Sequence, residues 1–147
     1  MDDDLFRPTI AAEPRARSSP PWRPQSIFYP AFFGGALAAT VLGVLNGRRL
    51  ALRPVALLAI VATGIAAVVA RTIATYLVQT GSGRIFGSAA GLVVWLVIMA
   101  LQRRPFRLFR YPDREPASLV GAGFAAVIGC GIVEALIVMA AVASWST

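Results

Sequence analysis

Apolar residues come in four long runs, which short polar stretches separate. At about 1.5 Å per residue, a helix of about 17–25 residues covers a hydrocarbon core of about 30 Å. Backbone groups inside a bilayer need internal partners, and these runs lack the alternation of a barrel strand. The pattern therefore predicts an all-α integral membrane bundle of four transmembrane helices, over about 27–46, 54–78, 85–101 and 117–143.

Polar or helix-starting residues mark the ends of these runs. Gly47-Arg48-Arg49 follows the first run, and Gly81-Ser82-Gly83 precedes the third. Pro54 and Pro116 stand before the second and the fourth. Proline suits the first position of a helix, because the backbone N–H that it lacks would have no partner there.

The segment before the first run, residues 1–26, is polar and rich in proline. Such a composition buries too little apolar area to order itself, so we predict a flexible tail. Residues 19–24 favour an extended polyproline conformation that could dock on a partner, but we expect a linker whose Trp22 rests among the lipid headgroups. The acidic start and the missing cleavage site argue against a secretory signal peptide.

Composition supports a membrane protein of one domain. The chain has 147 residues, of which 57% are hydrophobic, and a mean hydropathy of +0.69. A soluble domain has about 45–50% apolar residues. The length leaves no room for a soluble catalytic domain beside the four runs.

The net charge is +7, and all 14 basic residues are arginine. Together with the many alanines and glycines, this usage indicates a bacterium with a GC-rich genome, so we expect the cytoplasmic membrane. A nucleic-acid partner is not expected, because no basic face of a folded reader module is evident. Anionic lipid is the expected partner of the positive charge.

The arginines also suggest an orientation. With four spans both termini share one side, which holds five arginines, or six with Arg71. The segments 47–53 and 102–116 lie on the other side and hold eight. The positive-inside rule then predicts that these two segments are cytoplasmic and that both termini lie outside.

Segment 102–116 interleaves arginine with aromatic residues. Aromatic rings can enter the membrane interface while arginines reach phosphates. It is either a docking loop for anionic lipid or an acidic partner, or an ordinary positive-inside anchor. The residues concerned are Arg103, Arg104, Phe106, Arg107, Phe109 and Arg110.

Small residues recur every four positions in three of the runs. Small-xxx-small faces let helix backbones approach closely in lipid. The pattern predicts tight packing, either within the chain or between chains. The positions are Gly43, Gly47, Gly83, Gly87, Gly91, Gly121, Ala125 and Gly129.

Arg71 and Glu134 are charged residues inside apolar runs, where charge is costly. Arg71 lies 17 residues after Pro54 and Glu134 lies 18 after Pro116, in runs of the same direction. Both should therefore lie at one depth, about 25 Å from the cytoplasmic boundary. Glu134 shares a helix face with small residues, namely Gly123, Ala126, Cys130 and Gly131.

Three interpretations of these charges remain open. The pair could lock the register of the second and fourth helices, or it could relay protons or ions. Alternatively, Arg71 reaches the outer headgroups and Glu134 stays protonated without a partner.

The residues that enzymes use are scarce. The chain has no histidine and one cysteine, Cys130, so we expect no disulfide, no metal site and no cofactor. Glu134 is the one acidic residue inside a run, and Asp113 and Glu115 lie among arginines. Paired carboxylates for acid–base catalysis are limited to Asp113 and Glu115, which we expect to be solvated, so we expect no enzymatic activity.

The stretches 29–39 and 46–50 resemble the first span of uncharacterised small four-helix inner-membrane proteins of bacteria. In those proteins a Gly-Gly-Pro/Ala stretch opens the span, and Asn, a basic residue and Leu close it. The resemblance covers about 25 residues and implies a multi-span membrane protein without implying an activity. The run 34–37 is also similar to a Gly-Gly-Ala-Leu run in small fluoride channels, but this similarity assigns no function to any residue of this chain.

Two hypotheses for function follow. The first is a non-enzymatic accessory or scaffold subunit of a membrane complex, or a self-associating membrane protein. Its partners would be other membrane subunits or a second copy, contacted through the small-residue faces. The second is a small oligomeric transporter or channel that uses Glu134 and Arg71.

Overall fold

The computed structural model describes residues 19–78, 83–110 and 114–145. A 3-10 turn over Pro24–Ile27 precedes four helices, at Phe28–Arg49 (α1), Pro54–Val78 (α2), Gly83–Arg110 (α3) and Val120–Trp145 (α4). All four, α1 together with the turn before it, are long and apolar enough to cross a membrane. The all-α prediction is confirmed, and the chain is a multi-pass membrane protein.

α1 is broken at Gly35, which has φ +78° and ψ −164°. These angles lie outside the helical region and within a region that only glycine enters without strain. The break divides this part of the chain into a first arm, residues 24–34, and a second arm, residues 36–49. The sequence predicted one continuous span here.

The first arm runs antiparallel to α3. The hydroxyl of Ser88 donates a hydrogen bond of 2.8 Å to the carbonyl oxygen of Phe32. About two turns later along α3, the indole N–H of Trp95 donates to the carbonyl oxygen of Pro24, at 3.3 Å. Residue numbers therefore fall along the first arm as they rise along α3.

The second arm runs parallel to α3. A Cβ on Gly91 would lie 3.0 Å from the carbonyl carbon of Gly35. Farther along α3, the amide nitrogen of Gln102 donates a hydrogen bond of 2.6 Å to the carbonyl oxygen of Gly43. The two arms thus form a helical hairpin whose tip is at Gly35.

Contacts between the ends of the hairpin also require this reversal. A straight helix of 22 residues would be about 33 Å long. The guanidinium of Arg49, the last residue of α1, nevertheless donates a hydrogen bond of 3.1 Å to the carbonyl oxygen of Pro20. The eight residues from Pro20 to Phe28, four of them in a compact turn, could not reach the far end of such a straight helix.

α2 and α4 pack on opposite arms of the hairpin. α2 follows the second arm, with Gly64 against Thr40. α4 follows the first arm, where a Cβ on Gly123 would lie 3.2 Å from the ring of Pro30. The hairpin therefore occupies the middle of the bundle, and α1 is the most buried of the four helices.

The segment before the hairpin is packed where the sequence predicted a flexible tail. Pro21, Trp22 and Pro24 are buried, and the N–H of Ala117 donates to the carbonyl oxygen of Pro21 at 3.1 Å. The prediction was wrong for residues 19–26, because hydrogen bonds to α1 and to Ala117 hold this segment in place and three of its residues are buried. Residues 1–18 lie outside the described residues.

α3 continues to Arg110, although the sequence predicted a loop from residue 102. Gln102 and Phe106 are buried and follow Ile98 at spacings of four residues, so the buried stripe of α3 extends beyond the apolar run. Pro105 lies inside the helix without ending it. The loop prediction was wrong for residues 102–110 for this reason.

Candidate functional site

Arg71 of α2 and Glu134 of α4 form an ion pair, in which Nη1 of the guanidinium donates to Oε1 of the carboxylate. The side chain of Glu134 is fully buried, and that of Arg71 is 15% exposed. The spacings from Pro54 and Pro116 predicted that these two residues lie close together, and the structure brings them into contact. Glu134 lies on the buried face of α4 with Gly123 and Ala126.

The second oxygen of Glu134 binds the hairpin tip. Its Oε2 accepts a hydrogen bond of 2.6 Å from the backbone N–H of Leu37. A helix that begins after a break has N–H groups without a partner in its first turn, together with the positive end of its dipole. The carboxylate therefore caps the second arm, although it comes from a residue 97 positions later in the chain.

Gly35 leaves room for this carboxylate. A Cβ at that position would lie 2.7 Å from Oε1 and 2.8 Å from Oε2 of Glu134, closer than van der Waals contact permits. Glycine at position 35 therefore permits both the helix break, through its positive φ, and the close approach of the Glu134 carboxylate, through its missing side chain. Gly35 was not among the predicted site residues, although its place in the Gly34-Gly35 pair of a long apolar run was a usable signal for a helix break.

The guanidinium of Arg71 lies against α3. A Cβ on Gly87 would lie 2.9 Å from Cζ of Arg71, so Gly87 is small because the arginine fills the space beside it. The Nε of Arg71 is buried and has no hydrogen-bond partner. The arginine therefore retains one unused donor next to the ion pair.

A groove of about 430 Å³ between α2 and α3 reaches Arg71. Small side chains dominate its walls, among them Ala66, Ala70 and Ala90. Since Glu134 is fully buried and Arg71 is not, this groove approaches the pair from the arginine side.

A second polar cluster joins the two ends of the hairpin, residues 20–22 and residues 46–49, which together form its base. The side-chain oxygen of Asn46 accepts from the N–H of Trp22 at 2.7 Å, and its amide nitrogen donates to the carbonyl oxygen of Trp22 at 3.1 Å. The same nitrogen donates to Oε1 of Gln102 at 2.7 Å, and Gln102 in turn bonds Gly43. Asn46 and Gln102 are both fully buried, so each amide needs these partners.

Arg49 strengthens this base. Its guanidinium carbon lies 3.8 Å above the centre of the Trp22 ring, which is a cation–π distance. Trp22 is only 4% exposed. It therefore packs within the fold, whereas the sequence predicted a position among the lipid headgroups.

The residues of the predicted docking loop lie on the last turns of α3. Arg103, Arg104, Arg107 and Arg110 are exposed, whereas Phe106 is 7% exposed and packs inward. The ring of Phe109 lies 5.9 Å from the guanidinium carbon of Arg114. Binding of lipid or of an acidic partner by these residues stays a prediction.

The small residues divide into two groups. Gly43, Gly47, Gly87 and Gly91 lie where a Cβ would overlap or crowd a neighbouring helix, and Gly83 packs loosely near Thr75. Gly121, Ala125 and Gly129 are exposed, and the two glycines have no atom within 4 Å of an added Cβ. The fourth helix instead packs through Gly123, Ala126 and Glu134.

In the part of the chain that the structure describes, no three histidine, cysteine, aspartate or glutamate residues come together as a metal site. No family model, no curated protein and no solved structure matches the chain. Conclusions about function therefore depend on the geometry of the hairpin tip and its charge pair.

Proposed function

We propose that this multi-pass membrane protein is a small, non-enzymatic transporter or channel for an ion, and that Glu134, Arg71 and the hairpin tip form its site. One observation carries the proposal: an apolar helix is interrupted at Gly35, and a buried carboxylate caps the new helix start. Interrupted helices whose ends meet at mid-membrane recur in transport sites, because the free backbone groups can bind a ligand there.

The donors at this site favour an anion as the cargo. The N–H of Leu37, the positive end of the second arm and the guanidinium of Arg71 converge on one position. The carboxylate of Glu134 fills that position and neutralises it. A small inorganic anion would take this place when the carboxylate moves away or takes up a proton.

The groove between α2 and α3 supports access from one side. Arg71 is one of its lining residues, and the buried Nε of Arg71 has a hydrogen without an acceptor. An anion that enters along this groove would meet the guanidinium before it meets Glu134, so Arg71 would be the first binding group and Glu134 the gate.

Flux through the purified protein in liposomes tests the proposal. Chloride and proton movement are measured with trapped fluorescent dyes, while a potassium gradient with valinomycin sets the potential. We expect the wild-type protein to raise the flux of chloride, of protons or of both, and we expect Glu134→Gln to change that flux at least tenfold.

Thr72→Val is the matched control for this variant. Thr72 is also buried on α2, but its hydroxyl bonds a carbonyl of its own helix and does not touch the pair. Its flux should equal that of the wild type. Wild-type liposomes as tight as empty ones to both ions would contradict the proposal.

An accessory or self-associating subunit is the second candidate. The exposed face of Gly121, Ala125 and Gly129 favours it, because such a face suits close contact with another helix in lipid. Light scattering of the detergent-solubilised protein tests self-association. An oligomer that dissociates on Gly121→Leu with Gly129→Leu would support it, and mass spectrometry after mild-detergent purification from the native membrane would identify a stoichiometric partner.

Anionic lipid is the partner that we propose for the exposed arginines at the end of α3. Four exposed guanidiniums on two turns would attract the headgroups of the cytoplasmic leaflet. The arginine-rich composition also supports the cytoplasmic membrane of a bacterium as the proposed location.

A further inference from the structure

We infer that the hairpin of α1 is re-entrant: it enters and leaves the bilayer at the same face, so the chain crosses the membrane three times. α1 has the length and the hydropathy of a span. Its path, however, reverses at Gly35, and both ends of the hairpin lie together. This inference does not depend on the proposed transport function.

The base of the hairpin is closed by direct contacts between its two ends. Trp22, which precedes the first arm, exchanges two hydrogen bonds with Asn46 near the end of the second arm. Pro20 accepts a further bond from Arg49. Residues 20–22 and residues 46–49 therefore lie at one level of the bundle, and we call this level the base.

The tip ends within the bilayer. Gly35 lies beside Gly91 of α3, whereas the base lies beside Gln102, which follows 11 residues later. At about 1.5 Å per residue, the hairpin is about 16 Å deep, about half of a hydrocarbon core. A helix start at this depth requires partners for its N–H groups, and Glu134 accepts from the N–H of Leu37.

α2, α3 and α4 continue past the tip and complete the crossing. The base holds the start of α2, the end of α3 and the start of α4, since Ala117 bonds Pro21 there. The opposite end holds the end of α2, the start of α3 and the end of α4. The segment before the hairpin and the end of α4 consequently lie on opposite sides of the membrane.

The distribution of arginine supports this arrangement independently. With three crossings, 12 of the 14 arginines belong to the base side, and Arg84 is the one on the opposite side, since Arg71 is inside the bundle. With four crossings, eight arginines lie on the side of segments 47–53 and 102–116, and five, or six with Arg71, lie on the other side. The positive-inside rule favours the sharper division and makes the base cytoplasmic. The expectation that both termini lie outside depended on an even number of crossings, which the hairpin removes.

The side of the membrane that each segment faces can be measured by cysteine labelling. In a Cys130→Ala background, single cysteines replace Ser18, Glu115, Ser82 or Thr147 in the full-length protein. A membrane-impermeant maleimide is then applied to sealed right-side-out vesicles, before and after permeabilisation with detergent. Thr9→Cys duplicates Ser18→Cys, so one poorly inserted variant does not decide the result.

The position of Ser18 distinguishes the two topologies. We expect Ser18→Cys to be protected together with Glu115→Cys until detergent is added, and Ser82→Cys and Thr147→Cys to react at once. If Ser18→Cys instead reacts on the same side as Ser82→Cys, α1 crosses the bilayer and the inference is wrong. If Ser18→Cys and Glu115→Cys both react in sealed vesicles, while Ser82→Cys and Thr147→Cys are protected, the hairpin is re-entrant but the cytoplasmic assignment of the base is wrong.

Discussion

Glu134 occupies the space that a side chain at Gly35 would fill. Both carboxylate oxygens lie within 2.8 Å of the position of a Cβ on that residue. The two residues belong to different helices, and neither can have its present environment without the other. The break in α1 and the burial of the charge are therefore one structural feature.

Gly35→Ala should destabilise the protein strongly. Alanine is strained at φ +78°, at about 1–3 kcal/mol, and its methyl group also displaces the carboxylate of Glu134. The free energy of unfolding, measured in mixed detergent micelles, should fall by at least this amount. Gly129→Ala is the control, because nothing lies within 4 Å of its added Cβ. Equal stability of the two variants would contradict the described conformation of Gly35.

A double-mutant cycle tests the charge pair. Glu134→Gln leaves the guanidinium of Arg71 without its countercharge, at a cost of about 3–5 kcal/mol for a buried pair. Adding Arg71→Met removes that charge, while the glutamine oxygen still accepts from Leu37. We expect the double variant to be more stable than Glu134→Gln alone. Losses that simply add would show that the two residues do not interact.

Asn46→Leu should open the base of the hairpin. The change removes three hydrogen bonds and leaves buried backbone groups of Trp22 unpaired, at about 1–3 kcal/mol for each unsatisfied group. Hydrogen exchange measured by mass spectrometry should show faster exchange at Trp22. Thr63→Val is the control, since that hydroxyl bonds only its own helix. Unchanged protection of Trp22 would argue against the closed base.

Gly91→Ala should separate the hairpin from α3. A Cβ there would overlap the carbonyl oxygen of Ala31, which belongs to the backbone and cannot rotate away. Overpacking of this kind costs about 1–3 kcal/mol or more. The midpoint of thermal unfolding in detergent should fall, whereas Gly121→Ala, on the exposed face of α4, should leave it unchanged. A midpoint equal to that of Gly121→Ala would mean that the arms do not approach α3 as described.

The sequence predicts much of this molecule because the relevant signals are local. The apolar runs predict four helices, and α2 begins and ends at the predicted residues, Pro54 and Val78. Counting residues from Pro54 and from Pro116 predicted that Arg71 and Glu134 lie at one depth, and the two form an ion pair although α4 begins at Val120 and not at the predicted residue 117. Helix rise is nearly constant, so such counts place charges reliably when both helices are continuous.

The hairpin could not be predicted in the same way. A broken and an unbroken helix of 22 residues have the same hydropathy, and a glycine pair suits close packing as well as a break. The decision depends on partners far away in sequence, which are Glu134 for the tip and Gln102 for the base. The packing of Trp22 was missed for the same reason, because its partner Asn46 lies 24 residues later.

Glu134 follows Leu37 by 97 positions, and this separation sets the order in which the hairpin can mature during synthesis. The first arm, the tip and the second arm leave the ribosome before the other three helices, but the group that caps the tip arrives only with α4. Until then the tip has exposed backbone N–H groups and no countercharge for them. The hairpin therefore reaches its final state only after translation of α4, so α1, which is made before the other three helices, is completed after them.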